Sequence, residues 1–60
     1  MTLQWNHHDA GYIYASGGKG RYEISEAFGS YRGMFRFDVR GKTAFFITMD
    51  DAKMFAQEME

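Results

Sequence analysis

Two arginines lie among three aromatic residues in the segment YRGMFRFDV, residues 31–39. Aromatic rings stack on nucleic-acid bases and guanidinium groups bind phosphates, so this composition could serve single-stranded nucleic acid. In an extended strand, however, Phe35 and Phe37 share one side while Met34 and Arg36 share the other. This separation of rings from arginines predicts an ordinary half-buried strand.

The same segment is similar to the aromatic strand of RNA-recognition motifs in its Arg32–Gly33 pair, but Met34 stands where a base-stacking ring is expected. The arginines that would carry a nucleic-acid function are Arg21, Arg32, Arg36 and Arg40. Seven Lys and Arg residues are outnumbered by eight Asp and Glu, which gives a formal net charge of −1. Because phosphate binding depends on excess positive charge, nucleic acid is the alternative rather than the leading partner.

The segment GGKG, residues 17–20, could place glycine amides and a lysine around an anion. A phosphate-binding P-loop needs a longer spacing, Ser or Thr directly after the lysine, and a helix that begins there. Here Gly20 follows Lys19, and the flanking residues favour strands. We therefore expect a hairpin turn in which glycine supplies positive φ angles.

Metal and nucleophile chemistry have few candidate residues. His7 and His8 are adjacent, so a strand directs them to opposite faces and they cannot easily share a metal. The chain has no cysteine, which excludes disulfides and thiolate zinc sites. No nucleophile-elbow pattern surrounds a serine, and 60 residues leave little room for a deep pocket. We expect no cofactor and no enzymatic activity.

Glycines divide the chain into short runs rich in β-branched and aromatic residues, a pattern typical of strands and turns. The predicted strands are residues 3–7, 12–16, 21–25, 34–39 and 43–48, and the predicted helix is residues 49–58. The connections are too short for parallel crossovers, so we expect an antiparallel meander. All of this fits in a single domain, residues 1–60.

Helix signals follow the fifth predicted strand. Thr48 can accept a hydrogen bond from the amide of Asp51, in a variant of the capping box. The residues that recur at helical spacing are Met49, Ala52, Phe55, Ala56 and Met59. A three-turn helix is not stable alone, so this apolar stripe must pack on the sheet. The expected fold is α+β: a four- to five-stranded antiparallel meander with one C-terminal helix on one face.

We expect the core to consist of Trp5, Tyr22, Ile24, Phe35, Phe37, Ile47, Phe55 and Met59. Truncating a buried phenylalanine removes its burial energy and leaves a cavity. Replacing Phe55 by alanine is then expected to cost about 3 kcal/mol or more, enough to unfold a small domain.

No apolar run approaches the roughly eighteen residues that a membrane span needs, and no signal peptide opens the chain. Because the chain begins at Met1 without a targeting signal, we expect a complete cytoplasmic protein. We expect no membrane partner.

The elements Trp5, Tyr14, GGKGRYEI and FFITMDDAKMFAQ occur in an order that resembles short proteins encoded by bacteriophages and prophages. In those proteins a glycine-punctuated meander precedes the pattern F-x-T-x-[DE]-[DE]-A-K-x-x-A, which opens a terminal helix. The likeness covers most of the chain, and its motifs are turns, a cap and a helix stripe. Many such proteins antagonise host defence, anti-CRISPR proteins among them, by occupying a surface of a larger host protein. The resemblance implies a binding role in the host cytoplasm and no catalytic residues.

The sequence therefore favours a small non-enzymatic binding protein that inhibits or modulates a larger cytoplasmic protein. Two sets of residues are candidates for that contact. One is on the sheet, namely Tyr12, Tyr14, Met34 and Phe46; the other is on the helix, namely Asp50, Asp51, Glu58 and Glu60. The acidic set is either a solvated helix face or a mimic of successive phosphates that occupies an arginine-lined groove.

Self-association is a further expectation. Because neighbouring residues alternate between faces, the uncovered side of the sheet must present some of Tyr12, Tyr14, Met34, Phe45 or Phe46. Closing this patch against a second copy through a two-fold axis would cover it and stabilise a small core. The alternative is that the same patch binds the target.

Overall fold

The computed structural model describes residues 2–8 and 11–60. The elements along the chain are β1 (Asn6–His8), β2 (Tyr12–Gly17), β3 (Gly20–Glu26), the single 3₁₀ turn Gly29–Tyr31, β4 (Phe35–Val39), β5 (Lys42–Phe46) and α1 (Met49–Met59). The strands form one antiparallel sheet in the order β1-β2-β3-β4-β5. This confirms the predicted α+β meander with a C-terminal helix. Within the described ranges, no helix is long and apolar enough to cross a bilayer.

Two-residue turns set the register of two hairpins. Gly17 pairs with Gly20 across Gly18 and Lys19, and Val39 pairs with Lys42 across Arg40 and Gly41. Arg40 and Gly41 have φ angles of 49° and 77°. Positive φ at both central residues is the type I′ conformation, whose twist matches that of the flanking strands. Asp9 and Ala10, between the first and second predicted strands, lie outside the described residues.

The N-cap of α1 confirms its predicted start. Thr48 Oγ1 accepts a hydrogen bond from the amide of Asp51 at 3.1 Å. Ala52 and Ala56 are fully buried, so the helix backbone lies close to the sheet. Met49 and Met59 extend the contact at the two ends of the helix.

The core lies between α1 and one face of the sheet. Its buried residues are Leu3, Ile13, Ala15, Tyr22, Ile24, Phe37, Val39, Ala52 and Ala56. Of the residues predicted for the core, Tyr22, Ile24 and Phe37 are buried, and Trp5, Phe35 and Met59 are partly buried against it.

Two residues of the predicted core are exposed. Ile47 is 74% exposed because β5 ends at Phe46, so Ile47 lies in the bend before α1 and outside the strand alternation. Phe55 is 42% exposed because it lies at the margin of the helix stripe. Its ring still contacts Phe37 and Phe46, with centroids 5.5 and 5.2 Å away.

The first strand is shorter than predicted and begins at Asn6. Leu3 lies upstream, buried in the core, and its amide donates to Gln57 Oε1 of α1 at 2.8 Å. The Leu3 amide is thus bonded to the helix, and the pairing with β2 does not extend upstream of Asn6. Residues 3–5 therefore lie outside the sheet.

Candidate functional site

The face of the sheet opposite α1, here called the open face, presents side chains from β2 to β5. Its members are Tyr12, Tyr14, Arg21, Glu23, Ser25, Arg36, Asp38, Thr43 and Phe45. The strand register places eight of them in two rows, and Arg21 lies beside Ser16 in a third. One row runs Tyr12, Ser25, Arg36 and Phe45, and the other runs Tyr14, Glu23, Asp38 and Thr43.

Aromatic rings lie at both sides of the open face. On one side His8 stacks on Tyr12 with centroids 4.7 Å apart, and Tyr12 lies 6.3 Å from Tyr14. On the other side Tyr31, from the 3₁₀ turn, stacks on Phe45 of β5 at 3.8 Å with nearly parallel planes. The tyrosines predicted for a partner contact are therefore on the open face, while Ile13 and Ala15 between and beside them fill the core.

Two arginines lie between these rings. The Arg21 guanidinium sits 4.3 Å from the centroid of the Tyr14 ring, within cation–π distance, and donates to the Tyr12 hydroxyl at 3.3 Å. It also pairs with Glu23 at 3.1 Å. On the neighbouring strand Arg36 pairs with Asp38 at 3.0 Å.

The arginine–carboxylate pairs make the open face electrically balanced. Arg21 and Arg36 are each matched by an acid two residues further along the same strand. Asp38 additionally accepts a hydrogen bond from Thr43 Oγ1 at 2.6 Å. The face therefore combines rings, guanidinium groups and hydrogen-bonding oxygens without excess charge of either sign.

The predicted separation of rings from arginines holds within β4 but not across the whole sheet. Phe35 and Phe37 do lie on the side opposite Arg36, as alternation within β4 predicts. The rings that accompany the arginines come from other parts of the chain, namely β2, β5 and the 3₁₀ turn. The period-2 pattern of one strand cannot reveal this. Alternation in every strand, combined with the register that the two-residue turns fix, could have found Tyr12, Tyr14, Arg21 and Glu23 together.

The other candidates on the sheet side lie away from this cluster. Phe46 is not on the open face: it packs against Phe37 and Phe55 beneath α1, because Phe45 takes the opposite side of β5. Met34 is half-buried just before β4 and, with Arg32, lines a concavity of about 310 Å³. Arg40 lies in the β4–β5 turn, so the four arginines do not form one patch.

The GGKG segment forms the predicted turn, but it also holds an anion from its own chain. The Glu60 carboxylate accepts hydrogen bonds from the Gly18 amide at 2.8 Å and from the Tyr22 hydroxyl at 2.6 Å. A Cβ on Gly17 would lie 2.6 Å from this carboxylate, so glycine is needed for the close approach. We call this arrangement the Glu60 contact.

The Glu60 contact changes the acidity of both side chains. The hydrogen bond from Tyr22, followed by that from the Gly18 amide, lowers the pKa of Glu60 below its ordinary value of 4.5. Burial, together with the hydrogen bond to Glu60, raises the pKa of Tyr22 from 10.0 to about 12. Both shifts favour the pair in which the carboxylate is charged and the phenol is neutral.

The predicted acidic set is divided by the fold. Asp50, Asp51 and Glu58 are exposed on α1, whereas the Glu60 carboxylate is turned onto the β2–β3 hairpin. A charge reversal at Glu60 would therefore affect folding as well as any contact made by the helix. Among the residues that the structure describes, no three His, Asp or Glu side chains converge to hold a metal ion.

Comparison with known protein families, with curated proteins and with solved structures finds no match to this chain.

Proposed function

We propose that this chain is a non-enzymatic binding protein that acts by covering a surface of a larger protein, with the open face as its contact surface. The resemblance to short phage-encoded proteins extends the proposal to inhibition of a bacterial defence protein, the mode of action of anti-CRISPR proteins. Its action would then take place in the host cytoplasm.

The observation that carries the proposal is the composition of the open face. Tyrosine, phenylalanine and arginine are enriched in protein–protein interfaces, because the rings supply large contact areas with few rotatable bonds and the guanidinium supplies several hydrogen-bond donors. Here Tyr12, Tyr14 and Phe45 lie on one face with Arg21 and Arg36 between them. Stacking against His8 and Tyr31 restrains two of these rings before binding. Less conformational entropy is then lost on association.

Charge balance favours a protein over a polyanion as partner. Arg21 and Arg36 each lie within 3.1 Å of a carboxylate on the same face. A phosphate that approached either guanidinium would compete with that carboxylate and be repelled by it. A protein surface can instead add hydrogen bonds to the pairs and pack against the rings.

Comparative capture from a bacterial lysate tests this proposal. The immobilised chain would be compared with two variants, one carrying Tyr12→Ser and Tyr14→Ser on the open face and one carrying Asp50→Asn and Glu58→Gln on α1. Nuclease treatment and 0.5 M salt remove partners that are bridged by nucleic acid. We expect specific proteins to be captured by the parent chain and the helix variant but lost with the open-face variant.

Loss of capture with the helix variant alone would contradict the proposal and favour the phosphate-mimic hypothesis for the acidic residues. Both double variants would first be checked for cooperative unfolding, because only folded proteins give an interpretable comparison.

Single-stranded nucleic acid is the second candidate partner. The specific observation in its favour is that Arg21 covers Tyr14 and that the Tyr31–Phe45 stack lies on the same side of the sheet. Ring and arginine platforms of this kind bind successive bases without sequence preference. Fluorescence anisotropy with a labelled oligonucleotide at 50 and 200 mM salt distinguishes the candidates. Tight binding that weakens steeply with salt would reverse the ranking.

A further inference from the structure

The strand β5 forms one edge of the sheet and contacts α1. An edge strand leaves alternate N–H and C=O groups without partners in the sheet, and natural proteins usually protect such edges. The opposite edge, β1, is only three residues long, whereas β5 has five residues and no proline. The exposed edge strand is therefore the longer one.

Apolar side chains adjoin this edge. A groove of about 90 Å³ between β5 and α1 is lined mainly by apolar side chains, among them Phe37, Val39, Phe55 and Met59. Phe55 is 42% exposed at the margin of the helix, and Ile47, where β5 turns into α1, is 74% exposed. We call β5 together with Ile47 and Phe55 the edge surface.

We propose that the edge surface binds a second copy of the same chain, with β5 pairing antiparallel to β5 of the copy around a two-fold axis at Ala44. A two-fold axis there pairs all five residues of β5, so the sheet continues through the dimer with ten strands. It also brings Phe55 and the groove of each copy next to those of the other.

Charge positions fit this arrangement. The helix runs back along β5, so α1 begins near Phe46 and ends near Lys42. Antiparallel pairing around Ala44 sets Lys42 of one copy opposite Phe46 of the other, beside the start of the second copy's helix. Asp51 is exposed in that first helical turn. Each Lys42 therefore lies near Asp51 of the other copy, which gives two such contacts, one on each side of the axis.

The edge surface suits self-association better than the open face does. Pairing two open faces would bury four arginine–carboxylate pairs, and removing such pairs from water costs more than their attraction returns unless the geometry is excellent. The edge surface has unpaired backbone groups and apolar side chains instead. A stable homodimer needs about 800 Å² from each copy, close to a fifth of the 4339 Å² surface of this chain, so the helix margin must take part with the strand. The open face then stays available for a different partner.

Sedimentation equilibrium at micromolar concentration gives the first test. We expect a mass twice the 7.0 kDa of one chain. Lys42→Glu should weaken the dimer at least tenfold, because it brings like charges together at both Lys42–Asp51 contacts. Lys19→Glu makes the same charge change in the β2–β3 turn and serves as the control once its cooperative unfolding has been checked, because this turn contacts Glu60. Adding Asp51→Lys to Lys42→Glu should restore dimerisation.

Disulfide formation gives the second test and is simple in a chain without cysteine. Ala44→Cys lies at the proposed axis, so two copies should be joined rapidly by the oxidant diamide. Ser16→Cys, at the end of β2, should not be joined. A monomer at these concentrations would overturn the proposal. So would a dimer that Lys42→Glu leaves unchanged, or faster joining through Ser16→Cys than through Ala44→Cys.

Discussion

Tyr22 joins the centre of the sheet to the end of the helix. Its ring is fully buried beside Phe37, and its hydroxyl reaches the Glu60 carboxylate one residue beyond α1. The Gly18 amide donates to the same carboxylate. A single glutamate thus links the last turn of the helix to the β2–β3 hairpin. This link is a reason to expect that the helix and the hairpin unfold together.

Tyr22→Phe should lower stability while leaving the fold intact. The substitution keeps the buried ring but removes the hydroxyl that donates to Glu60. For a domain of this size, loss of one hydrogen bond is expected to lower the Tm by about 4 to 8 °C. Thermal unfolding followed by circular dichroism measures this shift. Tyr14→Phe on the open face is the matched control, and an equal decrease there would show that the Glu60 contact contributes nothing.

Stability should fall at both ends of the pH range. The pKa of Glu60 is lowered in the folded state, so its contribution is present above pH 4.5 and is lost as pH falls through the folded-state value. The pKa of Tyr22 is raised from 10.0 to about 12, so its contribution is present below pH 10 and is lost as pH rises through about 12. Urea unfolding at a series of pH values measures both limbs.

Glu60→Gln should flatten the acid limb of this profile, because the titrating carboxylate is gone. Glu58→Gln, on the exposed part of α1, serves as the control and should leave the acid limb in place. An acid limb that is the same in Glu60→Gln and in the parent protein would show that other carboxylates cause it.

The helix shows which parts of an element can be predicted and which cannot. Thr48, the apolar spacing and the two acidic residues of the first turn locate α1 correctly, because capping and periodicity are local properties. The rotation of the helix on the sheet depends on packing partners that local patterns do not contain. Phe55 therefore lies at the margin, whereas Ala52 and Ala56 occupy the closest approach.

The strands, too, have some features that local sequence predicts and others that it does not. Alternation assigns each residue to a face once a strand is recognised, and it places Phe37 and Val39 in the core. The rows of the open face, however, require the register between strands. The Gly18–Lys19 and Arg40–Gly41 turns fix that register for two hairpins, but the longer β3–β4 connection does not. The approach of Tyr31 to Phe45 and of Glu60 to Gly18 depends on segments outside the regular strands and has no local signal.

Phe55→Ala should destabilise the protein less than its place in the apolar stripe suggests. Because the ring is 42% exposed, the expected cost is about 1 to 2 kcal/mol rather than the 3 kcal/mol typical of a fully buried phenylalanine. Ala56→Leu should cost about 1 to 3 kcal/mol, since its added atoms have no space between α1 and the sheet. Chemical denaturation of both variants compares these costs. A cost above 3 kcal/mol for Phe55→Ala, with none for Ala56→Leu, would mean that the helix is rotated.

The molecule has three candidate contact surfaces, two of which share the strand β5. The open face carries rings and balanced charges, α1 exposes Asp50, Asp51 and Glu58, and the edge surface is mainly apolar. We propose that the open face binds a larger protein while the edge surface binds a second copy. Because pairing of β5 through its backbone leaves the side chains of Thr43 and Phe45 on the open face, a dimer would present two open faces to its partner. Binding to a two-fold or repeated target would then gain from avidity.

Substitution of the open-face rings should weaken binding without loss of folding. Tyr14→Ala and Phe45→Ala remove rings that stack or carry an arginine, and each is expected to raise the Kd for the captured partner at least tenfold. Met54→Ala, at an exposed apolar position on α1, is the control. Isothermal titration calorimetry measures all three. Equal affinities for the parent protein and both ring variants would exclude the open face as the main contact.

The most direct measurement is an NMR titration of the labelled chain with the partner recovered by capture. The chemical shifts of amides and side chains report on residues of all three surfaces, so one experiment compares the surfaces. We predict that the changes centre on Tyr12, Tyr14, Arg36 and Phe45. Changes that centre instead on Asp50, Asp51 and Glu58, with the open face unaffected, would contradict the assignment of the binding site to the open face.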